Sequence, residues 1–460
     1  MDEQADNWLD YDRFAVFGLG RSGRAASRLL SELGKTVVAS DTGSRADLEG
    51  AIEDLPDDVE FVFGRNAIAD AEVAVVSPGL KPRFEIFDAL RSRGVPAVSE
   101  IEIAFDAAEA PVLALTGTDG KTTTTSILGE IAAASDRPSA VGGNIGTPLS
   151  AVVGDVPAAG IIVAEVSAFQ LWSTFHFRPD VAGFTNIAGD HLDYFDSRAA
   201  YREAKRRLEE NVVASDWVVY NGDDPTVDAW YRDRTGRRAL YSLDRRPDAG
   251  ADLALWRQGT RVVAERSGET VEIVDESEIS LRGDHNVSNV MCAAGMALAH
   301  GLGPEAIRKG IRAFEPLPHR VEPCGTAEGV SFVNDSKATN VNAALAGLES
   351  LEDGFVAIVG GVDKGLDLEP LCRHLGRHAG GVVVIGDISE RLVEELRDVV
   401  DRDFRLDVVG SLEEATRRAF EWARPGQGTV VLSPACSSFD MFDSYEHRGR
   451  VFREAVDALR

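Results

Sequence analysis

The stretch VLALTGTDGKTTTTSIL, residues 112–128, decides how the middle of this chain folds. An apolar run leads into a turn that contains Gly117 and Gly120, and a helical pattern begins at Lys121. Strand, glycine-rich turn and helix in this order are typical of a phosphate-binding loop, whose backbone N–H groups face phosphate oxygens. The loop is shortened, because a leucine stands where the usual pattern has its first glycine. We expect Lys121 to reach terminal phosphates and the Thr122 hydroxyl to bind Mg²⁺.

Alternating strand and helix patterns continue on both sides of this loop and predict an α/β fold with doubly wound, mainly parallel sheets. A small-residue stretch at 107–111 and a proline-rich stretch around residue 318 are the expected boundaries. We therefore predict three domains. They are a Rossmann-like N-terminal domain over residues 1–109, a central P-loop ATPase-like domain over 110–318, and a Rossmann-like C-terminal domain over 319–460.

Charge and composition exclude several classes of protein. The net charge of −28 makes nucleic acid an unfavourable partner, since the phosphate backbone would be repelled. No apolar run is long enough to span a bilayer, so we expect no membrane partner. The four cysteines are scattered and the acidic N-terminus lacks a signal-peptide pattern, which favours a reducing cytoplasm.

Lysine is scarce in this chain. Seven of the 48 basic residues are lysine, which leaves 41 arginines. An acidic chain with little lysine is expected of a protein that works in concentrated salt, although a GC-rich genome would also favour arginine codons. Each retained lysine is therefore informative, because arginine replaces lysine as a surface charge but not in chemistry.

A second glycine-rich turn, GLGRSG, lies between a strand and a helix near the N-terminus. Gly18, Gly20 and Gly23 follow the dinucleotide-binding spacing, and Asp41 ends the next strand near the position of a ribose-binding acid. Taken alone, this motif suggests a nicotinamide dehydrogenase. The motif physically requires only a ligand that carries phosphate near a helix N-terminus. Alternatively, the same glycines would serve a tight turn that packs the helix against the sheet.

Three side chains that suit metal chemistry follow the loop. Glu165 ends the apolar strand IIVAE, where α/β sheets bind ligands, and its hard carboxylate suits Mg²⁺. His191 lies in a polar turn, which alone is weak support for a ligand. Lys205 shares one helical face with Tyr201 and Leu208, so we expect it to point inward, where a lysine can lose its proton and react as an amine. A snorkelling lysine that covers apolar surface is the alternative.

Polar clusters also follow three strands of the C-terminal segment. They are FVNDSKATN, with Lys337 and Thr339, GGVDKGLD, with Lys364, and LSPACSSFDMF, with Ser438. Each cluster alone is compatible with turn chemistry. Together they indicate a ligand-facing rim.

With these pieces in order, the chain resembles the Mur ligases, and most of all their D-glutamate-adding members. The resemblance covers about residues 18 to 449. It is carried by the motifs GTDGKTT (117–123), GGNIGTPL (142–149), EVSAFQL (165–171), DHLDYF (190–195), YREAK (201–205), GDHNVSN (283–289), LPHRVE (317–322), NDSKATN (334–340), GGVDKG (360–365) and SPACSSFDMF…YEHRG (433–449).

The resemblance implies an ATP-dependent ligase of peptidoglycan synthesis that joins D-glutamate to a UDP-linked sugar–amino acid through an acyl phosphate. It implies ATP, two Mg²⁺ sites and a CO₂-derived carbamate on Lys205. We expect a monomer whose three domains close on the substrates, since three substrates meet at shared clefts. The implied catalytic residues are Lys121, Glu165, His191 and Lys205. The implied metal ligands are Thr122, Glu165, His191 and Lys205. The implied ATP-binding residues are Gly117, Thr118, Asp119, Gly120, Lys121, Thr122, Thr123, Asn286, Arg320 and Asp335.

The remaining roles concern the other two substrates. The implied UDP-sugar-binding residues are Ser22, Gly23, Asp41, Thr42, Gly79 and Asn144. The implied amino-acid-binding residues are Lys337, Thr339, Lys364, Ser438 and Tyr445. On this reading the GLGRSG turn binds UDP and not a nicotinamide cofactor.

The chain departs from the family pattern at five positions, one of which is Arg45, since the family has its arginine directly after the Asp-Thr pair that is Asp41-Thr42 here. Asp119 replaces the usual asparagine of the loop, Ala168 stands at a common serine, and Gly189 and Tyr194 flank the DHLD motif in place of glutamate and arginine. These differences leave open a related amide ligase with another glycan-linked or glutamyl acceptor. A nicotinamide dehydrogenase and a nucleotide-binding switch without catalysis remain further alternatives, but neither uses both the loop lysine and an inward lysine.

Overall fold

The structure is a computed structural model in which the chain forms two compact units. It describes residues 7–78, 80, 84–188, 195, 197–234, 236–247, 250–281, 283–315, 318–363, 365, 367–401 and 403–460. The first unit comprises Met1–Ser280 with Asp284–Phe314, and the second comprises Leu281–Gly283 with Glu315–Arg460. Gly79, His191 and Lys364, which the sequence assigns to substrates or metal, lie outside the described residues.

The first unit begins with a five-stranded parallel sheet in the order β3-β2-β1-β4-β5. Its strands are β1 (Arg13–Phe17), β2 (Thr36–Asp41), β3 (Glu60–Phe63), β4 (Val73–Val76) and β5 (Ala97–Ser99). Its helices are α1 (Arg21–Glu32), α2 (Arg45–Ile52), α3 (Glu85–Arg93) and α4 (Glu100–Ala107), with a 3-10 turn at Trp8–Asp10. Because β1 and β4 are neighbours, the strand order reverses beside the GLGRSG turn, where such sheets bind ligands.

Local sequence explains these elements. The four residues of β4 are all buried, since helices cover both faces of a parallel sheet. Helix α1 buries Gly23, Ala26, Ser27 and Leu30, which follow the i, i+3, i+4, i+7 spacing of an amphipathic helix. The core of this sheet is continuous with part of the next one.

The same unit contains a nine-stranded sheet in the order β14-β13-β12-β11-β10-β9-β6-β8-β7. Its strands are β6 (Val112–Thr116), β7 (Ser139–Gly143), β8 (Ile161–Glu165), β9 (Val181–Phe184), β10 (Trp217–Asn221), β11 (Arg237–Ser242), β12 (Leu253–Gln258), β13 (Arg261–Arg266) and β14 (Glu269–Asp275). Its helices are α5 (Lys121–Ala133), α6 (Ala168–Leu171), α7 (Arg198–Arg206), α8 (Pro225–Asp233), α9 (Asp284–His300) and α10 (Pro304–Ala313), with 3-10 turns at Leu149–Ala151, Val153–Asp155, Arg207–Glu209 and Glu276–Glu278. Strands β6 to β12 pair in parallel, and β12, β13 and β14 form an antiparallel meander.

The predicted mainly parallel central sheet is therefore confirmed. Strands β9, β6, β8 and β7 are neighbours, so their carboxyl ends meet along one edge of the sheet. That edge carries the phosphate-binding loop, Glu165 and the start of the GGNIGTPL motif.

The second unit is built on a six-stranded sheet in the order β15-β16-β20-β17-β18-β19. Its strands are β15 (Glu322–Ala327), β16 (Val330–Asn334), β17 (Phe355–Gly360), β18 (Ala379–Ile385), β19 (Leu406–Val408) and β20 (Thr429–Leu432). Its helices are α11 (Val341–Leu348), α12 (Glu369–His378), α13 (Ser389–Arg397), α14 (Leu412–Ala423) and α15 (Tyr445–Asp457), with a 3-10 turn at Arg424–Gly426. Only the β15–β16 pair is antiparallel among these strands.

No helix in the described part of the chain is long and apolar enough to cross a membrane. The four cysteines are all free and buried.

Candidate active site

The shortened loop joins β6 to α5, and its two glycines are required by close contacts. A Cβ at Gly117 would overlap the hydroxyl of Thr185, and a Cβ at Gly120 would overlap the side-chain oxygen of Asn289. Gly120 also has φ +77°, a left-handed conformation that side chains disfavour. The loop is thus packed tightly against the ends of β9 and α9 with no room for larger residues.

Hydrogen bonds from the segment after β9 hold the loop backbone in place. The N–H of Thr118 donates to the carbonyl of Asn186 at 2.8 Å, and the N–H of Asp119 donates to the Asn186 side-chain oxygen at 2.9 Å. In return, the carbonyl of Asp119 accepts from the Thr185 hydroxyl at 2.7 Å. The backbone of Asp119 is therefore anchored by the segment that follows β9.

Positive charge is concentrated at the start of α5. The Lys121 ammonium folds back over the loop and donates to the carbonyl of Thr118 at 2.7 Å. Gly120 is the N-cap and makes no side-chain cap, so the first N–H groups of α5 are left for an external acceptor. An ammonium beside a helix N-terminus is the environment that stabilises phosphate groups.

Glu165 ends β8 with its carboxylate 2% exposed. One carboxylate oxygen, Oε1, accepts from the side-chain amide of Asn144 at 2.9 Å. The other oxygen, Oε2, is buried without a hydrogen-bond partner among the described residues. A buried carboxylate oxygen that lacks a donor fits a divalent cation, because hard anionic oxygen is the ligand that Mg²⁺ prefers. The resemblance assigns Asn144 to the UDP-sugar side, and its side chain is hydrogen-bonded here to Glu165.

Lys205 lies on the inner face of α7 and is 1% exposed. Tyr201 and Ala204 are buried on the same face, as the spacing predicts. The Lys205 ammonium donates to the carbonyl of Gly117 at 2.5 Å and lies 4.7 Å from the Tyr201 ring centroid. The Tyr201 hydroxyl is in turn 3.3 Å from the hydroxyl of Thr118. Helix α7 therefore brings a buried lysine directly against the phosphate-binding loop.

Side chains that follow Lys205 form hydrogen bonds between the end of α7 and neighbouring elements. The Tyr220 hydroxyl donates to the buried carboxylate of Glu209, which also accepts from the Arg206 guanidinium at 3.1 Å. Burial and the Glu209 charge raise the pKa of Tyr220, so the phenol stays protonated. Arg207 donates to the carbonyl of Leu171 at 3.0 Å. These contacts join the C-terminal end of α7 and the turn after it to β10 and α6.

The GLGRSG turn of the first sheet adopts the geometry that its glycines require. Gly18 has φ +89°, and a Cβ at Gly23 would overlap the carbonyl of Gly18. Both carboxylate oxygens of Asp41 accept backbone N–H groups, from Leu19 at 2.7 Å and from Gly43 at 2.8 Å. Asp41 thus holds the turn together at this edge, and Ser22 is half-buried and Thr42 exposed beside it.

In the second unit, β16, β20 and β17 are neighbours, so the three polar loops predicted to bind the amino acid lie side by side. The Lys337 ammonium lies 5.8 Å from the centroid of the Tyr445 ring. Ser438 is 2% exposed, and the Ser437 hydroxyl is buried without a hydrogen-bond partner among the described residues. The structure therefore brings Lys337 and Tyr445 together and places the loops of Thr339 and Ser438 after neighbouring strands, whereas Lys364 lies outside the described residues.

The three predicted ATP residues beyond the loop occupy both units. Asn286 is buried in α9 and accepts from the Asn289 side chain at 3.3 Å, which connects it with the residue packed on Gly120. In the second unit Asp335 accepts from the Ser433 hydroxyl at 3.0 Å and from the N–H of Val321 at 3.2 Å. Burial raises the pKa of Asp335 to about 7, although the nearby Arg320 charge opposes the shift.

No group of three histidine, cysteine, aspartate or glutamate side chains in the described ranges could hold a metal ion. Of the predicted metal ligands, Glu165 ends β8 and Thr122 lies in the first turn of α5, both at the carboxyl edge of the central sheet. Lys205 would become an oxygen ligand only after carbamylation, and His191 lies outside the described residues.

Sequence reasoning missed three residues that shape these edges. Asn186 holds the loop backbone, Asn289 packs on Gly120, and Arg448 is fully buried among the loops of the second unit. Asn289 and Arg448 lie inside the motifs GDHNVSN and YEHRG, so the sequence pattern includes both residues but does not indicate what they contact. Asn186 follows a strand that neighbours the loop strand, a relationship that only the sheet order reveals.

Comparisons with known proteins agree with this architecture. The Mur ligase middle domain matches residues 115–297, and the Mur ligase glutamate ligase domain matches residues 319–436. These two segments contain the phosphate-binding loop with Glu165 and Lys205, and most of the C-terminal rim.

Full-length relatives and a solved structure extend the similarity over the whole chain. A protein of Geotalea uraniireducens named UDP-N-acetylmuramoylalanine--D-glutamate ligase is 37% identical over 97% of this chain and 97% of its own length. A protein of the same name from Salinibacter ruber is 38% identical over 97% of this chain and 98% of its own. The MurF ligase of Thermotoga maritima in complex with ADP has a similar fold, with a TM-score of 0.61, 17% identity and coverage of 99% and 100%. The chain therefore belongs to the Mur ligase family.

Proposed function

We propose that this protein is an ATP-dependent ligase that adds D-glutamate to UDP-N-acetylmuramoyl-L-alanine in peptidoglycan synthesis. The observation that carries the proposal is the similarity to relatives of that name over nearly the whole of both chains. The retained loop lysine, the buried Glu165 and the buried Lys205 support a catalyst over a passive binding protein.

The reaction requires two substitutions. In the first, an oxygen of the acceptor carboxylate attacks the γ-phosphorus of ATP, and ADP leaves with the oxygen that bridged the β- and γ-phosphates. In the second, the neutral amine of D-glutamate attacks the acyl carbon, an amide forms, a proton is released from nitrogen, and inorganic phosphate leaves. Both steps develop negative charge on phosphate oxygens, so positioning and neutralisation of that charge dominate catalysis.

The loop residues have the first role in this scheme. The N–H groups at the start of α5 and the Lys121 ammonium would bind the β- and γ-phosphates of ATP. The Thr122 hydroxyl and the unpartnered oxygen of Glu165 would hold Mg²⁺. When bound, Mg²⁺ supplies positive charge that neutralises the phosphate oxygens. Asn286, Arg320 and Asp335 would complete the ATP site.

Lys205 has a different role, because its ammonium would repel a cation. For carbamylation the ammonium would first lose a proton; the neutral amine would then attack CO₂, form the nitrogen–carbon bond and release a second proton, which would leave anionic oxygens beside the loop. A lysine can make this adduct because its amine can lose a proton, which a guanidinium does not do. Together with His191, the carbamate would hold a second Mg²⁺.

The other substrates would use the remaining edges. Ser22, Gly23, Asp41, Thr42 and Gly79 lie at the first sheet and would bind the UDP-sugar. Lys337, Thr339, Lys364, Ser438 and Tyr445 would bind D-glutamate, whose two carboxylates suit lysine ammonium groups and hydroxyl donors. Asn144 would serve Glu165 as well as the UDP-sugar side.

We further propose the cellular setting and the domain arrangement that fit this role. The three domains would span residues 1–109, 110–318 and 319–460, each built on one of the three sheets. The protein would act as a cytoplasmic monomer, since its substrates are small soluble molecules.

Phosphate release from ATP with a panel of acceptors, with and without D-glutamate, tests the proposal. We expect release that requires UDP-N-acetylmuramoyl-L-alanine and D-glutamate together, with the amide product identified by mass spectrometry. Turnover only with another glycan-linked or glutamyl acceptor would transfer the proposal to a related amide ligase, an alternative suggested by the departures at Ala168, Gly189 and Tyr194. Reduction of NAD without ATP would overturn both.

A further inference from the structure

Arg448 is an arginine without solvent exposure in the second unit. It lies in the first turn of α15, with 0% of its surface exposed. Burial lowers the pKa of its guanidinium to about 10, which still leaves it charged near neutral pH. Removing a guanidinium from water is costly, so a buried arginine persists where its fork of donors satisfies groups that nothing else reaches.

The Arg448 donors reach three separate loops. Nε donates to the Ser336 hydroxyl at 3.0 Å, and one terminal nitrogen donates to the Ser336 carbonyl at 2.8 Å. Both terminal nitrogens donate to the Cys436 carbonyl, at 3.1 and 3.0 Å, and one also lies 3.5 Å from the Gly360 carbonyl. In the described chain, all of these acceptors are main-chain carbonyls or a hydroxyl, so the contact is with loop backbone and not with one counter-ion.

Each of these loops carries residues assigned to the amino acid. Ser336 directly precedes Lys337, Cys436 lies two residues before Ser438, and Gly360 ends β17 directly before the loop of Lys364. The loops follow β16, β20 and β17, which are adjacent strands, and Arg448 crosses all three ends. The guanidinium is therefore the shared contact of every loop in the predicted amino-acid site.

Neighbouring contacts show that the loops are mutually dependent. The N–H of Val362 donates to the Ser437 carbonyl at 3.0 Å, and the Ser336 hydroxyl donates to the carbonyl of Tyr445 at 2.8 Å. Gly361 has φ +143°, and a Cβ there would overlap the Ser437 carbonyl and lie 3.3 Å from the Arg448 guanidinium. A change at the guanidinium would therefore affect more than one loop.

We propose that Arg448 is a positioning residue that holds the three loops in register, so that they form one site for the amino-acid substrate. The inference rests on the proposed function, in which that substrate is D-glutamate. Lysine cannot replace Arg448, because a single ammonium lacks the planar, forked set of N–H donors with which the guanidinium reaches Ser336 and Cys436 together.

Steady-state kinetics of the full chain with Arg448→Lys test the proposal. Because displacement of catalytic groups by about 1 Å can cost about 100-fold, we expect the KM for D-glutamate to rise on the order of 10- to 100-fold or amide formation to fall similarly. Formation of the acyl phosphate without D-glutamate, trapped by borohydride reduction, should change much less. The matched control is Arg453→Lys on the same helix, whose guanidinium is half-exposed and pairs with Glu322; it should keep the wild-type KM.

Chemical rescue separates positioning from general destabilisation. Ethylguanidinium added to Arg448→Ala should lower the KM for D-glutamate towards the wild-type value, whereas ethylammonium should not. If neither variant folds, hydrogen exchange of the wild-type chain provides the test, since D-glutamate should protect the three loops together.

Three results would overturn the inference. They are an unchanged KM for D-glutamate in a folded Arg448→Lys, an equal loss of acyl-phosphate formation, and protection of one loop without the others. None of them would affect the proposed function, which fails only if the wild-type protein makes no D-glutamyl product.

Discussion

Asn144 donates its side-chain amide to Oε1 of Glu165 at 2.9 Å and leaves Oε2 buried without a partner among the described residues. The backbone supports the same pairing, because the N–H of Asn144 donates to the Glu165 carbonyl at 2.8 Å. Gly143 has φ +101°, and a Cβ there would overlap the same carbonyl. The turn after β7 thus orients a carboxylate at the end of β8, and it does so without a charge that would compete with a cation.

We predict that Asn144→Ala weakens cation binding more than it weakens binding of the UDP-sugar. Loss of a hydrogen bond to a metal ligand reduces metal affinity by about 10- to 100-fold. Mn²⁺ binding in the presence of ADP, followed by electron paramagnetic resonance, measures this directly, and the Mg²⁺ concentration at half-maximal activity should rise in parallel. A raised KM for the UDP-linked acceptor with unchanged Mn²⁺ affinity would instead favour the UDP-sugar role.

Gly120→Ala should abolish tight nucleotide binding through strain and collision. The left-handed φ of +77° costs a non-glycine residue about 1–2 kcal/mol, and the added Cβ also meets Asn289. Asn289→Ala removes the side chain that the added Cβ meets. The double variant Gly120→Ala with Asn289→Ala should therefore lose less ATP affinity than the sum of the losses in the two single variants. Isothermal titration with a non-hydrolysable ATP analogue measures the cycle, and strict additivity would contradict the contact.

Much of this arrangement was predictable from the sequence, because it depends on residues that are close together along the chain. The strand, glycine turn and helix around Lys121 depend on neighbouring residues, and the inward face of α7 follows from the spacing of Tyr201 and Lys205. The contact of Lys205 with the Gly117 carbonyl was not predictable, because it joins residues 88 positions apart. The same holds for Arg448 and Ser336, which are 112 positions apart. Such contacts depend on strand order, which periodicity does not encode.

Lys205→Ala should lose most ligase activity and regain part of it with added short carboxylates. A carboxylate that enters the space left by the side chain can supply oxygen ligands in place of the carbamate. Lys205→Arg should not restore activity, because arginine keeps the charge but cannot be carbamylated. Phosphate release with increasing acetate or propionate is the measurement, and full activity of Lys205→Ala without additives would refute the carbamate.

Asp106 should make stability depend on pH between its ordinary pKa of 3.8 and about 7. Burial raises its folded-state pKa to about 7, the charges of Glu102 and Asp10 raise it further, and a hydrogen bond from the Trp8 N–H at 2.6 Å opposes the shift. The folded state therefore binds the proton more tightly than the unfolded state, so this contribution to stability is present at low pH and is lost as pH rises through about 7.

Asp106→Asn removes that titration while keeping an oxygen that can accept from Trp8. The free energy of unfolding of Asp106→Asn relative to wild type should thus increase from pH 4 to pH 7, roughly the interval set by the two pKa values, and level off above it. Denaturant titrations at several pH values measure the difference. A difference that is constant across this interval would show that Asp106 does not titrate there.

The net charge of −28 should make the folded state depend on salt. Self-repulsion of an acidic surface destabilises the compact state, and added salt screens it, with a Debye length of about 10 Å at 0.1 M and about 3 Å at 1 M. We expect the thermal unfolding temperature and the ligase activity to rise together as KCl increases from about 0.1 M to molar concentrations. Sodium chloride should act like KCl, because screening depends on ionic strength and not on the cation. Full stability and activity in dilute buffer would show that the arginine-rich, acidic composition is not an adaptation to salt.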